Sequence, residues 1–456
     1  MRNSSLLRFA PALTALLALT PALPADEITL LREQLHALEQ KLLVLERKQE
    51  IKDEAAAAAA PTTPKITIND KGFTLASADG ANSIKLRGLV QLDSRVFFND
   101  GGITNNSFVL RRARIISEGT FAKNYSFQIV PEFGGSTVAL VDANIGVTIN
   151  KALQFKLGRF KLPVGLELLQ SDAWTFFNER SIATNLVPNR DLGIQASGDF
   201  FDGKLNYAAG LFGGVSDTGS TTNADFDNEK EFAGRLIASP FKDNAGSAVQ
   251  GLSFGISGSV GRTKTASGRP SGYRTDGQQT FFSYLTNTIA DGQNWRFSPQ
   301  LDHRNGSFGL LGEYVVSTVN VRPSPTGAKK ELQNKAFHIA AGYVLTGESS
   351  SYVGVVPQNN FDLAKGTWGA FEVAARYASL DIDDAAFPIF ASPAASASKA
   401  TSYGLGLNWY LSKSVRCTFD YYHTNFERAP GAPVTLTNPV IRQDEKSLIT
   451  RFQLTF

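Results

Sequence analysis

The chain of 456 residues has one cysteine, Cys417, and one methionine. A lone thiol cannot form an internal bridge, so no disulfide framework holds this fold even in an oxidising compartment. Long apolar runs are missing as well. Beyond the N-terminal segment no window offers the roughly eighteen uninterrupted apolar residues that a membrane helix needs. If the chain enters a membrane it must therefore do so as a closed barrel, which leaves no backbone group unpaired in hydrocarbon. Net charge is nearly absent, with 45 basic against 42 acidic residues. The total thus predicts no nucleic-acid partner, and only the placement of charge is informative. The four histidines, His36, His303, His338 and His423, are scattered with no cysteine or carboxylate at ligand spacing, so no metal or other cofactor is expected. Gly251-Leu252-Ser253-Phe254-Gly255 spells a nucleophile elbow but lies in an alternating Gly/Ser-rich strand instead of a strand-turn-helix, and no enzyme is expected.

What the chain does have is 32 Phe, 12 Tyr and 40 Gly, strand formers together with the residue that fits crowded barrel walls. Residues 1–25 carry Arg2 and Arg8, then the apolar run Phe9 to Leu19, then small residues ending at Ala22 or Ala25. This is the pattern of a cleaved secretory signal. Residues 26–54 place Ile28, Leu31, Leu35, Leu38, Leu42 and Leu45 at alternating three-four spacing, a short heptad pattern that predicts a helical coiled coil, or one amphipathic helix lying on the rest of the chain. Ala55 to Ala60 followed by Pro61, Thr62, Thr63 and Pro64 reads as a linker, and residues 55–83 as linker and lead-in.

From Ile84 to Phe456 the chain alternates apolar and polar residues with period two. In its last segment Leu448, Phe452, Leu454 and Phe456 share one face, and Arg451, Gln453 and Thr455 the other. Sixteen strands are expected, over 84–98, 107–121, 125–134, 138–149, 153–164, 191–200, 203–213, 229–239, 250–262, 295–304, 306–320, 333–347, 367–381, 399–411, 413–428 and 445–456. Short turns such as Ala122-Lys123-Asn124, Asp202-Gly203, Asn305-Gly306 and Ser412 alternate with long connections at 165–190, 214–228, 263–294, 382–398 and 429–444. That alternation belongs to transmembrane barrels, whose short turns face the periplasm. The segment 348–366 departs from it, being long where a short turn is due. A soluble sandwich also alternates, but wants fewer aromatics on its apolar face. The fold class expected is all-β, a transmembrane antiparallel barrel of about sixteen strands set in outer-membrane lipid, preceded by a short periplasmic α-helical coiled coil.

Charge is concentrated at the front of the barrel. Residues 84–164 hold eleven cations, Lys85, Arg87, Arg95, Arg111, Arg112, Arg114, Lys123, Lys151, Lys156, Arg159 and Lys161, against Asp93, Asp100, Glu118, Glu132 and Asp142. Strand parity puts Arg112, Arg114 and Glu118 opposite Val109, Ala113, Ile115 and Phe121. Arg111 falls on the apolar face and needs a bulge or a rim position to reach water. In 153–164 a slip near Gly158 would bring Lys156, Arg159 and Lys161 all inside. A cationic wall in a low-dielectric cylinder attracts anions, and Arg matches phosphate oxygens with a rigid fork of donors. The plainer reading is that these charges only keep the lumen polar, each paired with a carboxylate. The loop Gly165 to Arg180, with Leu166, Leu168, Leu169, Trp174, Phe176 and Phe177, is too apolar for solvent. It is expected to fold into the barrel and narrow it beside Arg159 and Lys161, or else to pack over the rim or a neighbouring subunit.

Leu110-Arg111-Arg112-Ala113-Arg114, Gly158-Arg159-Phe160-Lys161-Leu162-Pro163-Val164-Gly165-Leu166-Glu167, Thr175-Phe176-Phe177-Asn178-Glu179-Arg180-Ser181, Tyr343-Val344-Leu345-Thr346-Gly347-Glu348, Trp368-Gly369-Ala370-Phe371-Glu372 and Ala375-Arg376-Tyr377, taken in order, resemble the phosphate-selective porins O and P of Gram-negative outer membranes. The resemblance runs from about Ile84 to Phe456. It implies a homotrimer of sixteen-stranded barrels with an arginine ladder leading to a constriction whose lysines partly strip an anion of water. Arg111 and Arg112 look like ladder arginines, with Arg87 and Arg95 on the strand before them and Arg114 beside them. Lys156 and Lys161 are similar to constriction lysines, with Arg159 between them. Asp142 resembles an acidic residue near the narrow zone, to which the loop adds Glu167 and Arg180. The expected function is facilitated diffusion of phosphate, polyphosphate or other small anions. A broad small-solute porin and an envelope-tethering barrel are the alternatives, and the leading helix is expected to be a periplasmic trimer stalk.

Overall fold

The computed structural model describes residues 25–59, 63–98, 104–221, 224–225, 227–264, 270–323, 326–433 and 444–456. Residues 1–24 of the expected signal peptide, and Asp100, lie outside them. The chain divides into two units, residues 1–63 and 64–456. In the first, helix α1 spans Ala25–Ala59 and continues through the alanine run that the sequence reading gives to a linker. Alanine is the strongest helix former, so the run extends the helix. Its Leu35, Leu38, Leu42 and Leu45 are between 59% and 67% exposed.

The second unit is a closed sheet. Its staves are β1 (Ser83–Phe98), β2 (Ser107–Phe121), β3 (Tyr125–Glu132), β4 (Ala139–Asn150), β5 (Leu153–Lys161), β6 (Arg190–Phe200), β7 (Leu205–Phe212), β8 (Glu231–Ala238), β9 (Leu252–Lys264), β10 (Thr288–Asn305), β11 (Phe308–Pro323), β12 (Lys330–Val344), β13 (Ala370–Asp381), β14 (Ala397–Tyr410), β15 (Val415–Arg428) and β16 (Asp444–Thr455). Each pairs antiparallel with its sequence neighbour, and β16 pairs with β1, from Lys446 opposite Phe98 to Thr455 opposite Leu89. The barrel therefore has sixteen strands and no open seam.

The closure is tight. Phe456 exchanges two backbone hydrogen bonds with Gly88, at 2.7 and 3.2 Å. A Cβ at Gly88 would stand 2.3 Å from the Phe456 ring, so any other residue there would have to displace that ring. A hairpin of Lys65–Asn69 and Gly72–Ala76, within the expected lead-in, pairs with Ser83–Leu86, on the edge of β1 that β16 leaves free.

Alternation sorts the wall into two faces. Leu92, Ile115, Ile145, Ile194, Phe232, Ile256, Phe297, Ile339, Leu405 and Phe452 are exposed on the outside, while Gln91, Arg112, Ser257, Gln300, Glu313, His338, Glu372, Arg376, Asn408, Asp420 and Arg451 are buried within. The inside is not empty. Leu162, Leu186 and Val187 before β6, Phe282 and Tyr284 before β10, and Phe387 and Phe390 before β14 are buried together with wall residues such as Leu332 and Ala336. Ring centroids lie 4.8 Å apart for Phe282 and Tyr284 and 6.0 Å for Phe282 and Phe387.

A candidate anion pathway

Arg111 stands at a bulge. Gln91 on β1 opposes Arg112, but the next residue, Leu92, opposes Leu110, so Arg111 is the extra residue of β2. The bulge resolves the parity conflict. Arg111 reaches the interior, where its Nε and Nη2 donate to the Glu179 carboxylate at 2.6 and 3.0 Å. Beyond the bulge the faces exchange. Val109, which strict parity groups with Ala113, opposes buried Asp93, while Leu110 and Phe108 are exposed.

Two carboxylates of the loop between β5 and β6 organise the cations around it. Asp172 is shared by Arg112 at 3.3 Å and, in closer contacts, by Arg114 and Arg180. Glu179 is shared by Arg111, by Arg95 at 3.4 Å and by Arg451 of β16 at 3.0 Å. Arg451 also meets Asp93 at 2.6 Å, Arg114 meets Glu132 at 2.6 Å, and the Lys161 ammonium donates to the Leu168 and Gln170 carbonyls at 2.6 and 3.2 Å. Six arginines (Arg95, Arg111, Arg112, Arg114, Arg180 and Arg451) thus share four carboxylates (Asp93, Glu132, Asp172 and Glu179), a surplus of two positive charges, and Lys161 stands beside them on backbone carbonyls. Burial pushes the Asp172 carboxyl up, but Arg112, Arg180 and Arg114 outweigh it and hold the group well below the usual carboxylate range. Glu179 is likewise raised by burial and lowered further by Arg111 and Arg451, so both loop acids are ionised.

The remaining candidates sit differently. Arg87 and Lys85 both engage Glu118, at 2.7 and 3.5 Å. Asp142 takes both ends of the Arg190 guanidinium, at 3.0 and 3.1 Å, a partner the sequence reading did not name. The Lys156 ammonium lies 5.3 Å from the Phe160 ring centre and, among the described residues, forms no ion pair. Two residues are corrected. The ladder on both sides of β5 runs through Gly158 without a shift, despite its φ of 122°, so Arg159 shares a face with exposed Leu157 and donates to the Leu140 carbonyl instead of entering the narrow zone. Glu167 is a buried brace: its carboxylate accepts from the Ser181 amide at 2.8 Å and lies 3.5 Å from Arg376.

The loop is fastened by side chains from many staves. Glu313 of β11 accepts from the Leu166 and Glu167 amides at 2.7 and 3.3 Å, and Ser257 of β9 from the Gly165 amide at 3.1 Å. Arg376, Arg416 and Arg451 donate to the carbonyls of Glu179, Thr175 and Asn178. These three arginines escaped the sequence reading as site residues, although parity put Arg451 on the wet face. The segment 345–369 also touches the loop: the Tyr352 hydroxyl donates to the Leu166 carbonyl at 2.8 Å, and Gln170 donates to the Tyr352 carbonyl at 2.9 Å. The long segment where a short turn was due is therefore a support reaching the loop from the short-turn end.

Beside the loop lies a cavity of about 590 Å³, lined by Arg111, Arg112, Arg180 and Arg274, with Glu179 as its carboxylate and several hydroxyls, among them Ser181, Thr184 and Thr275. Arg274 arrives on the connection between β9 and β10, fixed by its amide to Asn185 at 3.1 Å.

A closed sixteen-stranded cylinder, apolar outside and polar within, is an outer-membrane porin, a channel and not a catalyst. Residues 84–456 match the family model of phosphate-selective porins O and P, and the chain belongs to that family. Porin O of Pseudomonas aeruginosa is 26% identical over 420 residues, spanning 86% of this chain and 92% of its own length. In fold the protein is similar to the outer membrane channel DcaP of Acinetobacter baumannii (10% identical, TM-score 0.52, covering 82% of this chain and 98% of that one). In-vitro folded OmpT of Vibrio cholerae is similar to the same degree (12% identical, TM-score 0.52, the same shares).

Proposed function

We propose that this porin passes small anions, foremost phosphate and its short polymers, by facilitated diffusion along Arg87, Arg95, Arg111, Arg112 and Arg114. The loop Gly165 to Arg180 narrows the pore, and Lys161 and Arg180 line the narrow zone. The observation that carries this reading is that six arginines share four carboxylates around Asp172 and Glu179, next to a cavity with four arginines and one carboxylate. Fixed guanidinium groups in a low-dielectric wall replace part of an oxyanion's hydration, and Asp172 and Glu179 keep them apart so that no single well traps it. The assembly is a homotrimer in outer-membrane lipid, and α1 is its periplasmic stalk. A broad small-solute porin is favoured by one fact, that Glu118 holds both Arg87 and Lys85 and offsets one of their two charges.

Chloride current through single channels, titrated with phosphate, separates the two. Anion preference predicts saturable block by phosphate that weakens about tenfold in Lys161→Glu, which puts an acid beside Asp172 and Arg180. Chloride current indifferent to phosphate favours the broad porin.

A further inference from the structure

Beneath the loop, towards the short-turn end, lies a second chamber of about 260 Å³ whose lining includes Leu166, Asn206, Arg235, Gln300, Asp302 and Tyr352. The loop divides the two spaces, with Leu168 on the upper cavity and Leu166 on the lower. Arg235 faces inward by parity, since its β8 neighbours Phe232 and Leu236 are exposed while Glu231 and Ala233 are buried. Among the described residues its guanidinium makes one hydrogen bond, from Nε to Gln300 Oε1 at 3.0 Å, and belongs to no ion pair. In a lumen where most arginines share carboxylates, this is an exception. The one acid on the lining, Asp302, is already held by Arg304 at 3.1 Å, so among the described residues Arg235 has no carboxylate of its own. Amide and hydroxyl groups of Asn206, Gln300, Ser253 and Tyr352 surround it. That volume is many times what one water needs, enough for a small oxyanion that keeps part of its hydration.

We propose that this chamber is a second anion subsite, on the exit side of the narrow zone, in which Arg235 binds an inorganic oxyanion of the size of orthophosphate through its free Nη1 and Nη2 donors. It rests on the anion reading above and adds a step to it. An ion leaving the four arginines of the upper cavity meets a guanidinium that has no carboxylate partner among the described residues before it reaches the periplasm, so the channel is loaded from either end. The two sites occupy different walls, the upper one near β2 and the lower on β8.

The test uses the full-length channel in planar bilayers, with inorganic phosphate added to one side at a time against chloride current. Wild type is expected to be blocked from both sides. Arg235→Gln should weaken block from the periplasmic side about tenfold and leave block from the outer side unchanged, whereas Arg235→Lys should retain both. Gln300→Glu, which supplies the missing partner while keeping the arginine, should weaken periplasmic block in the same way. Unchanged periplasmic block in Arg235→Gln or Gln300→Glu, with outer block intact, overturns the subsite alone. Wild-type current that phosphate blocks from neither side overturns the anion reading and the subsite with it.

Discussion

At the scale of single residues, the lumen separates cations that hold the protein together from cations free to meet an ion. Arg451 is the first kind: 2% exposed, it bridges Asp93 of β1 and Glu179 of the loop, and its loss takes one partner from each buried carboxylate, leaving Arg95 on Asp93 and Arg111 and Arg95 on Glu179. Breaking a buried pair from one side costs about 3–5 kcal/mol, so Arg451→Gln is expected to lower the urea midpoint of the folded barrel clearly. Lys156 is the second kind. Lys156→Gln should leave that midpoint unchanged yet reduce chloride conductance in dilute KCl, with the difference vanishing at 1 M salt, where the screening length falls to about 3 Å. An equal loss of stability in both variants would refute the distinction. Strand parity made much of this legible, including the conflict at Arg111, which the bulge at Gln91 and Leu92 resolves. It could not say which cations find partners. Asp172 and Glu179 belong to a loop, and the reach of a loop carboxylate is not encoded in the period of the strands. Arg159 was misplaced for the opposite reason. A glycine with positive φ invited a slip, while pairing on both flanks of β5 kept the register.

Among the elements, the β5–β6 connection behaves as a structural part of the wall. It is tied by Glu313, Ser257, Asp420, Arg376, Arg416 and Arg451 from five staves, and from below by Tyr352. Its own acids give the ion pairs among these ties a pH range. Asp172 and Glu179 have ordinary values of 3.8 and 4.5 and are held lower in the folded barrel, so their contribution is complete above the ordinary values and fades only as pH falls towards the folded ones. Single-channel conductance is therefore expected to stay constant from neutral pH to about pH 5 and to become noisy only in stronger acid. A loss of the open level near pH 6 would show that some other group holds the loop. The expectation that this loop folds inward rested on its aromatics. The same signal was present in Phe281, Phe282, Phe387 and Phe390, which are buried although they too belong to long connections. The segment 345–369 was harder to read, because the contact that explains it comes from a tyrosine hydroxyl and two backbone carbonyls.

The whole molecule is an electrostatic device as much as a cylinder. Near-neutral overall, it gathers unbalanced positive charge beside one loop and leaves the Arg274 and Arg235 guanidinium groups without a carboxylate partner among the described residues, while apolar side chains face outward. All sixteen staves were visible as period-two alternation, because each must present one face to hydrocarbon and one to water. The leading hairpin was not visible, since five-residue strands at the barrel's edge carry too short a pattern. If the interior charge acts as described, ions and not the lipid-facing shell determine what passes. The most direct measurement is the zero-current potential of the purified channel across a KCl gradient. Anion preference drives chloride down its gradient and makes the dilute side negative; a dilute side that turns positive contradicts the account.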